Sequence, residues 1–474
     1  MHAMLDLGSF GDERLRRRGA NFLEALISKR TACLRLLGGD RGTTVAYGRF
    51  LHNETVTRGA MVSNAAFHVG AAARGRHVLA IQDTTELNFA GHVGSKRGFD
   101  VVGNGRDIGL FVHPVIVVEA GDSDPRQVGH AGGILGLADA KIYGRKKAAP
   151  GGRKAREAAR RIPRPIEEKE TFRWIEGSRA AQGALSEAAM VTDISDREGD
   201  FFEHFAAPRA ANAELITRAT HDRKLSTGGK LFATMAELAN VVGQDIVVSG
   251  KDGKPGRVAR TRVSWQEIEM PRPRVGHDVE RLPPTIKMNA IRIAEVDPPP
   301  GARPVMWLLL TTHPVDDLEE ALRVVGWYRA RWTIEQVFRV MKSQGFDLES
   351  SQIETPDAMA KLALAVLIAA LRTMQLVNAR SGTTGQTLGD AIGETEEALV
   401  EVLSAKLEGK TERQKNPHPK GSLARLSWVV ARLGGWNGYE GRHHRPAGPI
   451  TMGIGLVKFD AIREGWLMRA RADV

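Results

Sequence analysis

The residues best suited to chemistry gather at Tyr328-Arg329-Ala330-Arg331-Trp332-Thr333-Ile334-Glu335, continuing to Arg339 and Lys342. On a helix turning about 100° per residue, Tyr328, Arg331, Arg339 and Lys342 fall within about ±40° of a line through Glu335. Ile334, Val337, Phe338 and Met341 occupy the neighbouring face at the spacing of a core stripe. A lone carboxylate among cations and a tyrosine is a phosphate-facing pattern. The same spacing also serves i,i+4 ion pairs on a solvent-facing helix.

Two further carboxylates stand at the ends of apolar runs. Asp83 follows Val78-Leu79-Ala80-Ile81, and Asp196 follows the run that begins at Met190-Val191. Acids at two strand ends with a glutamate on a nearby helix would form an all-oxygen pocket. Such a pocket suits Mg²⁺ or Mn²⁺ rather than zinc. Aspartates at strand ends also cap helices. The three acids lie far apart in sequence, so any convergence must come from the fold.

The elements that must position them follow from the chain's texture. Its 474 residues leave room for two to four domains of roughly 100–200 residues each. Hydrophobic residues at 42% and charged residues at 26% exclude wholesale disorder. The single cysteine, Cys33, excludes an internal disulfide and a cysteine-based zinc site. Lys plus Arg number 67 against 56 Asp plus Glu, a net charge of +11 with a pI near 9.8. That excess suits a polyanionic partner, although many basic proteins bind none. It concentrates at Arg14, Arg16, Arg17 and Arg18 and again from Arg145 to Arg164, where solvated surface is an equal reading. No apolar run approaches the roughly 20 residues of a bilayer span. The first twenty residues carry acids and four arginines rather than a signal-peptide core. The expectation is a cytoplasmic protein of bacterial type with no membrane association.

Residues 10–75 read as helical. Val78–Ile81, Phe111–Val118, Met190-Val191, Leu215-Ile216 and Met306–Leu310 read as buried strands separated by helical stretches, an α/β arrangement. Between about 222 and 304, Gly, Pro and short Val/Ile segments predict an antiparallel β insertion. Beyond Leu376 the chain reads as helical again. The expected divisions are 1–72, 73–375 and 376–474.

Tyr328, Arg331, Glu335 and Lys342 match the Tyr-x₂-Arg-x₃-Glu-x₆-Lys signature of a known family. So do Ile81-Gln82-Asp83-Thr84-Thr85 and the Asp-Arg-Glu-x-Asp motif at Asp196–Asp200. With Gly109-Leu110-Phe111-Val112-His113 and Ala431-Arg432-Leu433-Gly434-Gly435, the sequence resembles the DDE-type cut-and-paste transposases of the insertion-sequence-four family. The match selects Asp196 over its neighbours Asp193 and Asp200.

The resemblance implies an RNase H-like catalytic core with a β insertion, flanked by N-terminal and C-terminal helical domains. Asp83, Asp196 and Glu335 would be the catalytic acids and hold two Mg²⁺ ions, with Mn²⁺ able to substitute. The implied reaction nicks a transposon end, forms and reopens a DNA hairpin, and joins the 3′ end to target DNA. Tyr328 would bind phosphate rather than act as nucleophile. Trp307 would be the platform for a flipped base, and Arg218, Arg331, Arg339 and Lys342 would contact phosphates, while Trp332 is expected to pack beneath the site.

The implied partners are transposon-end DNA with its terminal inverted repeats, target DNA and a second copy of the chain. Residues 1–72 would bind the ends in the nucleoid, and the C-terminal helices would dimerise. Phe10-Gly11-Asp12-Glu13-Arg14 and Arg49-Phe50-Leu51-His52-Asn53 resemble end-reading segments. The family's Tyr before Arg-Phe is Gly48 here, with Tyr47 one place earlier, so base contacts do not carry over. His113 reads equally as a satisfied core histidine. The alternative function is a catalytically silent DNA-binding derivative. A haloacid-dehalogenase-type phosphatase is disfavoured because Thr85 stands where its second Asp belongs.

Overall fold

The computed structural model describes residues 6–121, 132–145, 163–239, 241–243, 245–248, 256–342, 345–392, 396–439 and 446–472. Most of the second basic cluster, Lys146–Arg161, lies outside them.

The apolar runs become strands because they are long enough to be buried on both faces. They form β1 (His77–Gln82), β2 (Thr85–Asn88), β3 (Gly109–Glu119), β4 (Ile134–Tyr143), β5 (Met190–Ser195) and β6 (Ala213–Arg218). In β1 every residue after His77 is buried, and in β3 every residue before Glu119. The sheet order β4-β3-β1-β5-β6 has β1 antiparallel to β3, β3 antiparallel to β4, and β1, β5 and β6 parallel. Three antiparallel strands followed by two parallel ones make an RNase H-like core. Parallel β1 and β5 end on the same edge, which places Asp83 and Asp196 side by side in the fold.

Beyond β6 the sheet continues through β12 (Met306–Thr311), β11 (Thr285–Glu295), β10 (Thr261–Pro271) and β7 (Val241–Val242), all antiparallel. The short pair β8 (Ile246–Val248) and β9 (Arg257–Ala259) stands apart. The 306–310 run is therefore the return strand of this antiparallel extension, and β6 is the last of the parallel strands. β4 was not expected, and β10, though inside the expected β insertion, was not singled out as a strand. Gly136, Asp139 and Lys141 interrupt the apolar pattern of the first, and Gln266, Glu267 and Glu269 that of the second.

Helices α1 (Glu13–Lys29), α2 (Leu34–Gly38), α3 (Arg41–His52) and α4 (Arg58–Ala73) precede the sheet. Asp12, Asp40 and Thr57 cap α1, α3 and α4 by accepting from backbone N–H groups. Helix α5 (Phe172–Ala184) covers β3, β4 and β1. The short helices α6 (Phe202–Ala206) and α7 (Leu231–Glu237) follow β5 and β6. The rest are α8 (Leu318–Ala330), α9 (Trp332–Met341), α10 (Pro356–Ala379), α11 (Glu397–Leu407), α12 (Leu423–Leu433) and α13 (Pro449–Ala472).

Helix α10 corrects one expectation. Its 24 residues are long and apolar enough to cross a membrane by length and composition, with mean hydropathy 1.7 in its most apolar window. That window is 89% buried inside the protein, because α1, α3, α4, α9, α12, α13 and β4 pack around it. Its composition is that of a central core helix. Lys361 is accommodated there by pairing with Asp357 at 2.7 Å and donating to the Asn53 carbonyl at 3.0 Å.

Candidate active site

Asp83 emerges from the end of β1, and the Thr84 backbone N–H donates to its Oδ1 at 2.8 Å. Asp196 emerges from the end of β5, and the Glu198 N–H donates to its Oδ1 at 2.8 Å. Each acid is thus oriented by its own turn. Glu335 lies in the first turn of α9 and accepts from Arg331 Nη2 at 2.6 Å.

The helix carrying Glu335 is not continuous with the one carrying Tyr328, which alters the single-line geometry expected from spacing. Arg331 separates α8 from α9, with three-residue hydrogen bonds from its N–H to the Tyr328 carbonyl and from Ile334 N–H to its own carbonyl. The junction turns the guanidinium back toward the sheet. Its Nη1 reaches Asp83 Oδ2 at 2.8 Å while Nη2 holds Glu335.

Burial pushes the Asp83 carboxyl up to about 6; Arg331 pulls it down, and Asp196 and Glu335 push it up. Asp83 therefore senses both other acids, and Arg331 is the counter-ion shared by Asp83 and Glu335. Among the described residues no group of three His, Cys, Asp or Glu side chains is arranged to hold a metal ion. The donor set nevertheless fits a hard divalent cation. It is all carboxylate oxygen, partly buried, and its excess negative charge is already answered by a cation in the form of Arg331.

Arg218, at the end of β6, donates to the Met306 carbonyl at 3.0 Å and hydrogen-bonds Tyr328. Tyr328 is 5% exposed, and Trp307 meets its ring edge-on at 5.6 Å between centroids. Burial raises the Tyr328 hydroxyl, with Arg331, Arg218 and Asp196 as its charged neighbours. Arg218, Trp307, Tyr328, Arg331 and the three acids thus form one neighbourhood.

Arg339 and Lys342 face other partners. Arg339 is exposed and lies over the Trp332 ring at 5.3 Å, and Lys342 Nζ lies 3.7 Å from Glu349. Trp332 is itself 41% exposed, contrary to its expected place beneath the site. Tyr47 points inward, with its hydroxyl on the Asn21 carbonyl at 3.2 Å, while Arg41, Arg49 and His52 line the exposed side of α3.

A buried polar chain underlies the acids. Thr84 Oγ1 lies 2.9 Å from His113 Nδ1, whose Nε2 lies 3.2 Å from Gln82 Oε1. Gln82 donates to Ser178 at 2.9 Å, and His204 Nδ1 lies 2.9 Å from the Gly199 carbonyl in the turn after Asp196. His113 is satisfied by this chain, and burial holds its pKa well below the ordinary value. Gly177 lets α5 approach, since a Cβ there would collide with Gln82 Oε1. Ser178, His204 and Arg173 were not singled out from the sequence. For Arg173 a signal existed: it is a charge on the face of α5 that also buries Trp174, Gly177, Ser178 and Ala181.

With that geometry in place, the comparison with known families bears on part of the chain. Residues 140–372 match the family described as Transposase DDE domain. The matched stretch takes in Asp196, Glu335, Arg218, Trp307 and Tyr328, begins after Asp83, and covers just under half of the chain. A solved structure described as "Cryo-EM structure of piggyBac transposase synaptic complex with hairpin DNA (SNHP)" is similar at 10% identity. That likeness covers 77% of this chain and 67% of the other, with a TM-score of 0.35. At that score it bears no further weight.

Proposed function

We propose that this transposase-domain chain is an active cut-and-paste DNA transposase of the insertion-sequence-four type. One observation carries the reading: Asp83 and Glu335 share the Arg331 guanidinium at 2.8 and 2.6 Å, while Asp196 is near enough to push the Asp83 carboxyl up. Carboxylates at the ends of two parallel strands, opposed by a helix glutamate, suit chemistry on a phosphodiester.

Asp83, Asp196 and Glu335 would hold divalent ions, Mg²⁺ or Mn²⁺. When bound, such ions stabilise charge on a phosphoryl group under in-line attack. The chain's own groups do the rest. Arg331, which here bonds Asp83 and Glu335, would be the guanidinium placed to meet a DNA phosphate at this site. Arg218 holds the Tyr328 hydroxyl in place to bind phosphate; buried and bonded, that hydroxyl is poorly disposed to act as a nucleophile. Trp307 offers a partly buried ring at the same edge for a flipped base. Arg339 and Lys342 would meet DNA farther along α9.

In this reading residues 1–72 bind the transposon end, 73–375 cut and join, and 376–474 dimerise two copies on bacterial chromosomal DNA. The test is nicking and strand transfer by the purified chain on DNA bearing the inverted repeats that flank its reading frame, with Mg²⁺, with Mn²⁺ and with chelator. Divalent-dependent 3′ nicks support the reading. End binding without any nick favours the silent derivative.

A further inference from the structure

We propose that Arg173 is a positioning residue of this site, a clamp that sets the distance between the turns carrying Asp83 and Asp196. The inference rests on the proposed nuclease reading. Arg173 is in the first turn of α5 and 5% exposed. Its Nε donates to Thr84 Oγ1 at 3.2 Å, and its Nη2 donates to Glu198 Oε2. Those are the two residues whose backbone N–H groups hold the carboxylates of Asp83 and Asp196, each at 2.8 Å. One guanidinium therefore grips both orienting residues from below, while Arg331 grips Asp83 and Glu335 directly.

The clamp is itself anchored. Arg173 Nη1 donates to the Glu170 carbonyl at 2.8 Å and lies 3.8 Å from that residue's carboxylate. Glu170 is held in turn by Arg145 at 2.6 Å and by the Tyr143 hydroxyl at 3.0 Å, which fixes it to the end of β4. Thr84, besides meeting Arg173, takes part in the His113–Gln82–Ser178 chain. A planar fork with donors in fixed directions can serve these partners together. A lysine ammonium reaches them only singly.

If the clamp sets the spacing of the acids, its removal weakens divalent binding before it weakens folding. The experiment measures Mn²⁺ affinity of the full chain by electron paramagnetic resonance, and DNA nicking kinetics, for wild type, R173A, R173K, E198Q and T84V. Arg173→Ala is expected to lower Mn²⁺ affinity and kcat by about 10- to 100-fold, the usual scale for residues that orient a metal's ligands. KM for the DNA end should stay within about twofold, because in this reading phosphates meet other cations. Added guanidinium ion should restore part of both losses in R173A, and Arg173→Lys should not restore them.

Wild-type-like Mn²⁺ affinity in folded R173A overturns the clamp and leaves the nuclease reading standing. Failure of the wild type to bind Mn²⁺ or to nick overturns both. Should R173A not fold, T84V removes one arm of the clamp and E198Q strips the charge from the other, and unchanged Mn²⁺ affinity in both overturns it equally.

Discussion

Arg331 donates through Nη1 to Asp83 Oδ2 at 2.8 Å, although the two residues lie 248 positions apart in sequence. The contact joins the end of β1 to the junction between α8 and α9, and its second nitrogen extends it to Glu335. A guanidinium that neutralises two carboxylates must compete with any divalent ion for the same oxygens.

Arg331→Gln should therefore raise divalent-ion affinity in the absence of DNA by roughly tenfold, the scale of one partly screened charge pair. The measurement belongs at pH 8, because Asp83 in the native protein titrates near 6 and must be ionised to bind a cation. Calorimetric titration with Mn²⁺ checks it. Lower affinity in the variant would mean that Arg331 supports the acids as ligands rather than occupying their place.

Glu335→Gln keeps shape and hydrogen bonding but removes the charge that completes the acidic set. DNA nicking should fall by at least about three orders of magnitude, as expected when a charge acting in the transition state is lost. End-DNA affinity, followed by fluorescence anisotropy, should change by less than about threefold, since Glu335 meets no phosphate in the proposed reading. Lost end binding with preserved nicking would remove Glu335 from the catalytic set.

Much of this architecture could be read from residue patterns, and the omissions have physical causes. Runs such as Val78–Ile81 announce themselves because strands buried on both faces must be apolar throughout. β4 did not, because Asp139 and Lys141 lie in it. That Asp83 and Asp196 stand at strand ends was legible because each follows such a run, whereas the choice of Asp196 over Asp193 and Asp200 came from the family resemblance. Whether Arg331 faced phosphate or carboxylate was not, since that depends on the break between α8 and α9, and periodicity extends smoothly across it. Arg173 escaped notice despite its place on a buried helix face, because Thr84 and Glu198 lie on other elements, which local spacing does not reveal.

Acid should loosen the turn after Asp196. Burial lowers the His204 imidazole from 6.5 to about 4, although its bond to the Gly199 carbonyl works in the other direction. A group that binds its proton less readily when folded lends stability that is full above the unfolded pKa and is lost as pH falls toward the folded one. His204 therefore costs folding nothing above about pH 6.5 and imposes a penalty that grows to roughly 3 kcal/mol as pH falls to about 4. Urea unfolding from pH 7.5 to 4.5 should show a smaller pH slope in His204→Gln than in wild type. Identical slopes would place the acid sensitivity elsewhere.

In the proposed reading, Trp307 distinguishes the first nick from the hairpin step. The ring is partly buried, packs edge-on against Tyr328 at 5.6 Å and sits on β12 beside the Arg218–Met306 contact. Cutting the first strand needs the acids and a bound phosphate. Folding that strand back on its partner strains the terminal bases, and a stacking surface worth about 1–3 kcal/mol per base relieves the strain. Trp307→Ala should therefore slow hairpin formation by roughly 5- to 150-fold while first nicking changes by less than about threefold. Trp307→Phe, which keeps an aromatic face, should recover most of the loss. Time courses on end-labelled DNA, resolved on denaturing gels, separate nicked, hairpin and fully cut products. Equal slowing of both steps in Trp307→Ala, with no recovery in Trp307→Phe, would show that the ring supports Tyr328 and the strand edge rather than a base.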